Sequence, residues 1–543
     1  MRGLLCSTAL TLATAASAAI VPANLTYNIT WPYQTFKTVN FTPPYLQISH
    51  HTEPSDDNAY LFFAPDGPKA KETAPLIMDM HGELIWNGPA THGFAFGAQV
   101  YDDEPVLVWW NGTLYPEPIG RGNGVVHMLN RRYETTRTTT LAGDFLEQVP
   151  GARFPSNIDV HEIFITKKGS MLVTANNITQ ADLTSVGGSK NGWVVAALIY
   201  EIDVATDQIL FSWNSLDHLD QIPFTDSLYP LGSEGYTGET QNQAWGYFHI
   251  NSVAPLNNGY ILSSRFLCTA LALSPNGSVL WRLQGRSGGD FALGPGADFC
   301  YQHDVRAFPS SSSSSSSSHP HADSSIVTLH MHDNHNSPLS NNTVPSSGLS
   351  LLLDLSTHRA TLMHRYLNTS SPIYSTAQGN FQPLPNGNVF IGHGWIPILE
   401  EFSQTGEIQT TIQFASAEAR AGGGWVSAQK PTLSYRAFKQ EWLGCPGAKP
   451  DVRAERLVGG DGDGTAVFVS WNGATEVEAW EVWGGGSGAA LGCIGVVARS
   501  GFETRGLVGA AAYVQVRPRM RRRGDGRGGC EAVVSDVVAV AAG

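Results

Sequence analysis

The feature that most constrains this fold is a β-hairpin that recurs along the chain. Each copy is an apolar strand, a short turn and a second apolar strand that often ends in Trp. The copies lie at residues 76–86, 125–133, 199–213, 271–281, 351–362 and 398–408. Turn-led apolar strands lie between them at 168–173, 258–262 and 386–391. Six such four-stranded units, roughly fifty to eighty residues apart, predict an all-β, six-bladed β-propeller rather than a two-sheet sandwich.

The sequence divides into six segments. They are a signal peptide (1–18), an N-terminal extended segment (19–58), the β-propeller (59–415), a Gly-rich link (416–431), a C-terminal β segment (432–515) and a disordered tail (516–543). The hairpin-like pair at 467–483 makes the C-terminal segment either a seventh blade or an accessory β segment packed on the ring. The serine tract at 310–318 predicts a disordered loop.

The N-terminus predicts export from the cell. Met1-Arg2 precedes a short apolar run, and Ala16-Ser17-Ala18 is a small-residue cleavage site. No later window is apolar enough to span a bilayer, so we expect no membrane attachment. Eight Asn-x-Ser/Thr sequons predict N-glycans. They begin at Asn24, Asn28, Asn40, Asn111, Asn177, Asn276, Asn341 and Asn368.

Charge and cysteine content exclude other classes. A formal net charge of −14 argues against nucleic acid as a general partner. In an oxidising compartment, Cys268 with Cys300 and Cys445 with Cys493 are reasonable disulfide pairs, which would leave Cys530 over. The sequence has no Cys-x-x-Cys, so a thiolate zinc site is not expected.

Three histidines and one arginine form the candidate site. His161, His249 and His303 each fall at or just before the first strand of a predicted unit, the strand that lines the channel of a propeller. Gln378 and Asn380 fall at the same place in the sixth unit, and Arg265 follows His249 by sixteen residues. We therefore expect these side chains to converge at one channel mouth. Taken singly, each His would be an ordinary surface or core residue.

These residue types suit a tetrahedral oxyanion. Arg offers forked donors that match sulfate or phosphate, while a neutral His can attack such a centre and a second His can protonate the leaving oxygen. Neighbouring carboxylates at Asp159, Glu162 and Asp304 either fix a histidine tautomer or solvate blade edges. The region has no carboxylate pair placed for glycoside hydrolysis and no Gly-x-Ser-x-Gly elbow.

Together, several motifs resemble the arylsulfotransferases that need no nucleotide sulfate donor, in particular their secreted fungal branch. The motifs are Asp-x-His-Glu at 159–162, His-x-Asn at 249–251, Ser-Arg at 264–265 and Gln-His-Asp at 302–304, with further matching stretches at 379–388, 435–439 and 470–476. The resemblance covers roughly residues 36–504.

The resemblance implies a six-bladed propeller that moves a sulfuryl group from an aryl sulfate to a phenol through a sulfated histidine, without metal or cofactor. It implies that His303 is the nucleophile and that His161 acts as acid and base. Arg265, His249 and Asn251 would hold the sulfuryl oxygens.

This chain departs from the family pattern at one place near the site. Where fungal members often have Phe-Asp-Asn, it has His332-Asp333-Asn334, with His330 and His335 alongside. These histidines are more typical of a solvated blade edge than of a metal site. Two alternatives stay open, namely an enzyme of fungal phenolic metabolism that transfers no sulfuryl group, and a secreted propeller that only binds a ligand.

Overall fold

The computed structural model describes residues 10–11, 31–52, 59–115, 120–142, 153–309, 325–340, 343–429, 431–457, 464–521 and 529–542. Most of the predicted signal peptide and the whole serine tract lie outside these residues. Within them, the helices are short 3-10 turns at Thr184–Val186, Ser215–His218, Phe224–Asp226, Ser233–Gly235 and Gln241–Gln243. No helix in this described part is long and apolar enough to cross a membrane. The predicted all-β class is confirmed.

Six sheets, named A to F here, each contain a meander of four antiparallel strands. Sheet A contains Ala437–Glu441, Ala59–Phe63, Leu76–Met78 and Leu84–Asn87. Sheet B contains Phe94–Tyr101, Glu104–Leu114, Gly122–Leu129 and Thr135–Thr139. Sheet C contains Ile163–Ile165, Ser170–Ala181, Gly192–Asp203 and Ile209–Asn214.

The other three sheets each carry one additional strand. Sheet D contains Ile250–Leu256, Gly259–Ser264, Thr269–Leu273 and Val279–Gln284, with Gly288–Gly289 at its edge. Sheet E contains His303–Pro309, Ile326–Asp333, Ser347–Asp354 and Arg359–Tyr366, with Ala292–Leu293 parallel to the last strand. Sheet F contains Asn380–Pro383, Val389–Gly392, Ile398–Phe402 and Ile408–Gln413, with Gln47–His50 at its edge.

Inner strands of the sheets are buried along much of their length because both faces of a sheet are covered. In sheet D, all of Gly259–Ser264 is buried. Leu262 packs toward sheet C and its neighbour Ile261 toward sheet E, as the alternation of side chains along a strand requires. The hairpin after Leu273 turns at Gly277, whose φ of +88° lies in the left-handed region that glycine adopts without steric cost.

Each sheet packs on the next one along the chain through a shared apolar cluster. Such clusters join A to B, B to C, C to D, D to E and E to F. A further cluster joins sheet F back to sheet A, where Leu399 and Ile412 meet Leu61 and Leu76. The order of packing therefore returns to the sheet where it began.

The ends of this six-sheet unit differ from the predicted boundaries. The first strand of sheet A, Ala437–Glu441, comes from beyond residue 415 and pairs with Ala59–Phe63. Gln47–His50, in the segment predicted to be merely extended, pairs with Ile408–Gln413. Both pairings join distant parts of the chain, so no local pattern could have placed these boundaries.

The C-terminal segment forms two further sheets, and neither has the sequential strand order of sheets B to F. Sheet G contains Asp451–Leu457, Gly464–Ser470 and Glu503–Gly509. Sheet H contains Val477–Ser487, Ala490–Ala498, Tyr513–Met520 and Val538–Ala539, with Leu10–Thr11 beside Ala490–Ala498. A small sheet of Ile373–Tyr374, Trp425–Val426 and Glu418–Ala419 occupies part of the predicted Gly-rich link.

The tail predicted to be disordered from residue 516 begins inside a strand, Tyr513–Met520. Val514 and Val516 are fully buried at alternate positions, whereas Arg519 on the other face lies 2.8 Å from Glu481. The arginine-rich run is therefore the polar face of an amphipathic strand in its described part, a pattern that composition alone conceals.

The cysteine pairing agrees with the prediction in one of two cases. Cys268 is bonded to Cys300 as predicted. Cys445 is bonded to Cys530, however, and not to Cys493. Cys530 lies in the described stretch 529–542, which reaches the start of the C-terminal segment, where its Sγ is 3.5 Å from the Gly444 carbonyl oxygen.

Candidate functional site

The predicted histidines and arginine line one cavity of about 900 Å³. His161 and His249 lie just before the first strands of sheets C and D, and His303 opens the first strand of sheet E. Arg265 directly follows the second strand of sheet D. Much of the remaining wall is aromatic and is formed by Phe94, Tyr115, Tyr229, Tyr236, Phe266, Trp395 and Tyr435.

Asp159 orients His161. Its Oδ2 is hydrogen-bonded to His161 Nδ1, and the carboxylate also accepts from the Gly122 N–H at 3.0 Å and the Thr174 hydroxyl at 3.3 Å. Burial alone would raise the pKa of Asp159, but the charge and hydrogen bond of His161 hold this pKa below its ordinary value. An ionised carboxylate only accepts, so Nδ1 of His161 carries a proton and Nε2 is the nitrogen that can exchange a proton with a bound group.

Arg121, a residue that the sequence did not single out, contacts His249. Its Nη2 lies 3.3 Å from His249 Nδ1. A guanidinium has only donors, so Nδ1 carries the lone pair and the proton of His249 is on Nε2. Burial lowers the pKa of His249 well below its ordinary value, and the charge of Arg121 lowers this pKa further. His249 is therefore a neutral N–H donor.

His303 has the opposite tautomer. Its Nδ1 lies 2.6 Å from Asn334 Oδ1, and the Asn334 amide nitrogen donates to the carbonyl oxygens of Gln378 at 3.0 Å and Ser375 at 3.4 Å. Because these two donations leave only an acceptor toward His303, the proton of His303 is on Nδ1. Its Nε2 accepts from the Gln378 N–H at 3.2 Å, a long contact that a reacting group can displace.

Burial also determines the charge of His303 and Arg265. It lowers the pKa of His303 well below its ordinary value, and the neighbouring Arg265 lowers it further. Burial lowers the pKa of Arg265 to about 10, which leaves the guanidinium charged at neutral pH. The cavity therefore sets a neutral imidazole beside a cation.

Arg265 is held without a counter-charge. Its Nη2 donates to the Thr376 carbonyl at 2.8 Å, and its guanidinium lies 4.9 Å from the centre of the Phe266 ring. No carboxylate of the described residues lies within ion-pair distance, and Nε has no hydrogen-bond partner among them. Burying an unpaired guanidinium costs folding free energy unless an anion binds to it.

Asn251 does not line the cavity, in contrast to the prediction. It is fully buried, and its amide nitrogen donates to the Gln302 carbonyl at 2.7 Å. In a regular strand, residues two apart share a face, which would put Asn251 beside His249. Here His249 has a φ of +50° and the register shifts between Ile250 and Ser252, so the alternation is broken.

Glu162 and Asp304 do not orient histidines. Glu162 binds Arg436 at 2.7 Å and Arg306 at 2.8 Å, and Asp304 lies 2.7 Å from Arg306. Burial opposes the charge of Glu162, yet the two arginines lower its pKa to about 2. This buried ion network joins residues at the first strands of sheets C, E and A. Of the three carboxylates proposed to fix a tautomer, only Asp159 does so.

The histidines around residue 332 are not a solvated edge. His332 is fully buried, its Nε2 lies 3.2 Å from Nδ1 of His393, and Nε2 of His393 lies 3.0 Å from a carboxylate oxygen of Glu400. Burial lowers the pKa of His332 to about 3. His330 stacks on an aromatic ring of sheet F, and His335 pairs with the preceding aspartate. Within the described residues no cluster of three metal-ligating side chains occurs.

Fold and cavity define a class, an all-β protein in which three imidazoles and a buried arginine line one cavity. The model of the arylsulfotransferase (ASST) family matches residues 97–415, more than half of the chain and all four of His161, His249, Arg265 and His303. The chain belongs to the arylsulfotransferase family.

Other comparisons add little. No curated protein matches the chain. A solved structure of a protein of unknown function from Bacteroides caccae is 11% identical over 71% of this chain and 99% of its own, with a TM-score of 0.35. A GH43 protein, BlXynB from Bacillus licheniformis, is 10% identical over 82% and 90% of the two chains, with a TM-score of 0.30. AztD from Citrobacter koseri is 8% identical over 70% and 98%, with a TM-score of 0.26. At such scores we draw nothing from these similarities.

Proposed function

We propose that this protein transfers a sulfuryl group from an aryl sulfate to a phenol through a sulfated His303, without metal, cofactor or nucleotide sulfate donor. The observation that carries the proposal is the hydrogen bonding of His303. Asn334 holds its proton on Nδ1, so the Nε2 lone pair lies at the cavity beside the unpaired cation of Arg265. A neutral imidazole next to a fixed cation is the arrangement that attack on a sulfate ester needs.

The transfer has two steps. In the first, His303 Nε2 forms a bond to sulfur, the bond between sulfur and the aryl oxygen breaks, and protonated His161 gives its Nε2 proton to that oxygen. In the second, His161 Nε2 takes the proton of the acceptor phenol, whose oxygen attacks sulfur while the N–S bond breaks. Arg265 and the Nε2–H of His249 stabilise the three sulfuryl oxygens in both steps.

The proposed scaffold is a six-bladed β-propeller with sheets A to F as blades. Two observations support it, namely the return of the packing order from sheet F to sheet A and the ion network that joins the first strands of sheets C, E and A. We further propose that the protein is a secreted glycoprotein of the fungal branch. Its leader-like N-terminus, the sequons at the exposed Asn40 and Asn276, and the two disulfides support this.

The test is an acceptor-dependent transfer assay with 4-nitrophenyl sulfate and a phenol. We expect His303→Ala to abolish transfer and Arg265→Leu to lower the rate on the order of 10²-fold or more, because a preorganised donor is lost. His81→Ala, at an exposed histidine, is the matched control and should keep wild-type activity. Full activity in His303→Ala, or a wild type that turns over no aryl sulfate, would refute the proposal.

A further inference from the structure

We propose that Arg121 is a positioning residue that fixes His249 as a neutral donor with its proton on Nε2. The inference rests on the proposed function, in which His249 donates to a sulfuryl oxygen. It adds a residue that neither the sequence motifs nor the transfer chemistry requires. It also gives the cavity a second arginine, whereas the sequence singled out Arg265 alone.

Arg121 and His249 contact each other in the wall of the cavity. Arg121 is only 4% exposed and lines the cavity immediately before the third strand of sheet B. Its Nη2 reaches His249 Nδ1 at 3.3 Å. A Cβ at Gly246 would lie 2.2 Å from the same Nη2, so the glycine leaves the space that this atom occupies. Gly246 thus permits the contact.

The charges around His249 favour its neutral form. Arg121 faces it from sheet B, His161 from sheet C, Arg265 from sheet D and His303 from sheet E. None of these groups is a carboxylate. Burial is the largest cause that lowers the pKa of His249, and Arg121 is the largest of the four charged or titratable neighbours.

Arg121 therefore has two separable effects on His249. Its hydrogen bond decides which nitrogen carries the proton, and its charge keeps the ring from taking a second proton. Without the hydrogen bond, the proton could move to Nδ1 and the donor toward the sulfuryl group would be lost. Without the charge, the imidazolium would form at higher pH.

Three variants separate these effects. Arg121→Met removes both donor and charge, Arg121→Lys keeps both, and Gly246→Ala keeps the charge but displaces Nη2, the flexible end of the arginine. Arg359→Gln, at an exposed arginine of sheet E, is the matched control. The readouts are the pH profile of kcat/KM and the imidazole tautomers in ¹⁵N-histidine-labelled protein, with the His249 signal assigned from a His249→Gln variant.

We expect Arg121→Met to lower kcat/KM at least tenfold and to move its acid limb upward by about one pH unit, the size of effect that one neighbouring charge has. Arg121→Lys should return the acid limb of the kcat/KM profile to its wild-type pH. Gly246→Ala should lower kcat/KM without moving the acid limb of its pH profile. In both Gly246→Ala and Arg121→Met, the His249 signal should show the proton on either ring nitrogen.

Two results would overturn the inference. One is a wild-type His249 with its proton on Nδ1, and the other is an Arg121→Met protein with the wild-type tautomer and acid limb. A wild type that transfers no sulfuryl group would instead refute the proposed function. The tautomer measurement on His249 would still test the role of Arg121 in that case.

Discussion

Replacing Asn334 by Asp tests how the nucleophile is kept uncharged. The substitution preserves the shape of the side chain but puts a carboxylate where an amide oxygen now lies 2.6 Å from His303 Nδ1. A carboxylate at this distance stabilises the imidazolium and raises the pKa of His303 by about 1 to 3 pH units. An imidazolium has no lone pair on Nε2 and cannot attack sulfur. At a pH below the pKa of His303, each unit by which this pKa rises therefore lowers the neutral fraction of His303 about tenfold.

The assay is the pH profile of kcat/KM for aryl sulfate turnover. We expect Asn334→Asp to lose about 10- to 1000-fold in activity at acid pH and to regain part of it as the pH rises. Asn334→Ala is the control, since it removes the acceptor without adding charge and should lower activity at every pH. The reasoning is refuted if folded Asn334→Asp has the acid limb of the wild type.

Two further predictions concern stability and glycosylation. Glu162→Gln should destabilise the protein by about 3 kcal/mol at neutral pH, since the buried Arg436 and the half-buried Arg306 lose their partner. The pKa of Glu162 is lowered from 4.5 to about 2 in the folded protein. Its charge therefore contributes fully to the free energy of unfolding above pH 4.5, and this contribution is lost as the pH falls toward 2. Denaturant unfolding against the exposed control Glu418→Gln measures the loss, and equal unfolding midpoints would contradict it. In secreted protein, glycopeptide mapping should find sugar at the exposed Asn276 but none at Asn111 or Asn368, whose side chains are buried and hydrogen-bonded.

The fold was predictable where the signals are local. An apolar strand, a turn glycine such as Gly277 and a second apolar strand are neighbours in sequence, and their repetition reveals the sheets. The strand Ala437–Glu441 closes sheet A by pairing with Ala59–Phe63. No local signal records that partnership, so the sequence alone could not assign this strand from beyond residue 415 to sheet A.

The site was predictable for the residues that occupy equivalent places in the repeat. His161, His249 and His303 share a position at the first strands of successive sheets. Arg121 and Asn334 do not follow that rule, and their partners are fixed only by the packing of neighbouring sheets, since Arg121 lies 128 residues from His249.

A related physical reason gives the side chains of Asn251, Glu162 and Asp304 other partners than the predicted ones. Their side chains were assigned by proximity in sequence to a histidine. A left-handed residue and a bulge at the start of the strand turn Asn251 away from the cavity. Arg306 and the buried Arg436 attract both carboxylates. Short motifs therefore located the site but could not orient each member.

The most direct test of the central claim is the covalent intermediate. Wild-type protein and His303→Ala are incubated with 4-nitrophenyl sulfate without acceptor, and intact mass and peptide mapping follow under mildly alkaline conditions that preserve an N–S bond. The account predicts one added SO₃ on the peptide that contains His303, its disappearance when phenol is added, and no adduct in His303→Ala. Turnover by the wild type with no adduct, or with an adduct on another residue, would contradict it.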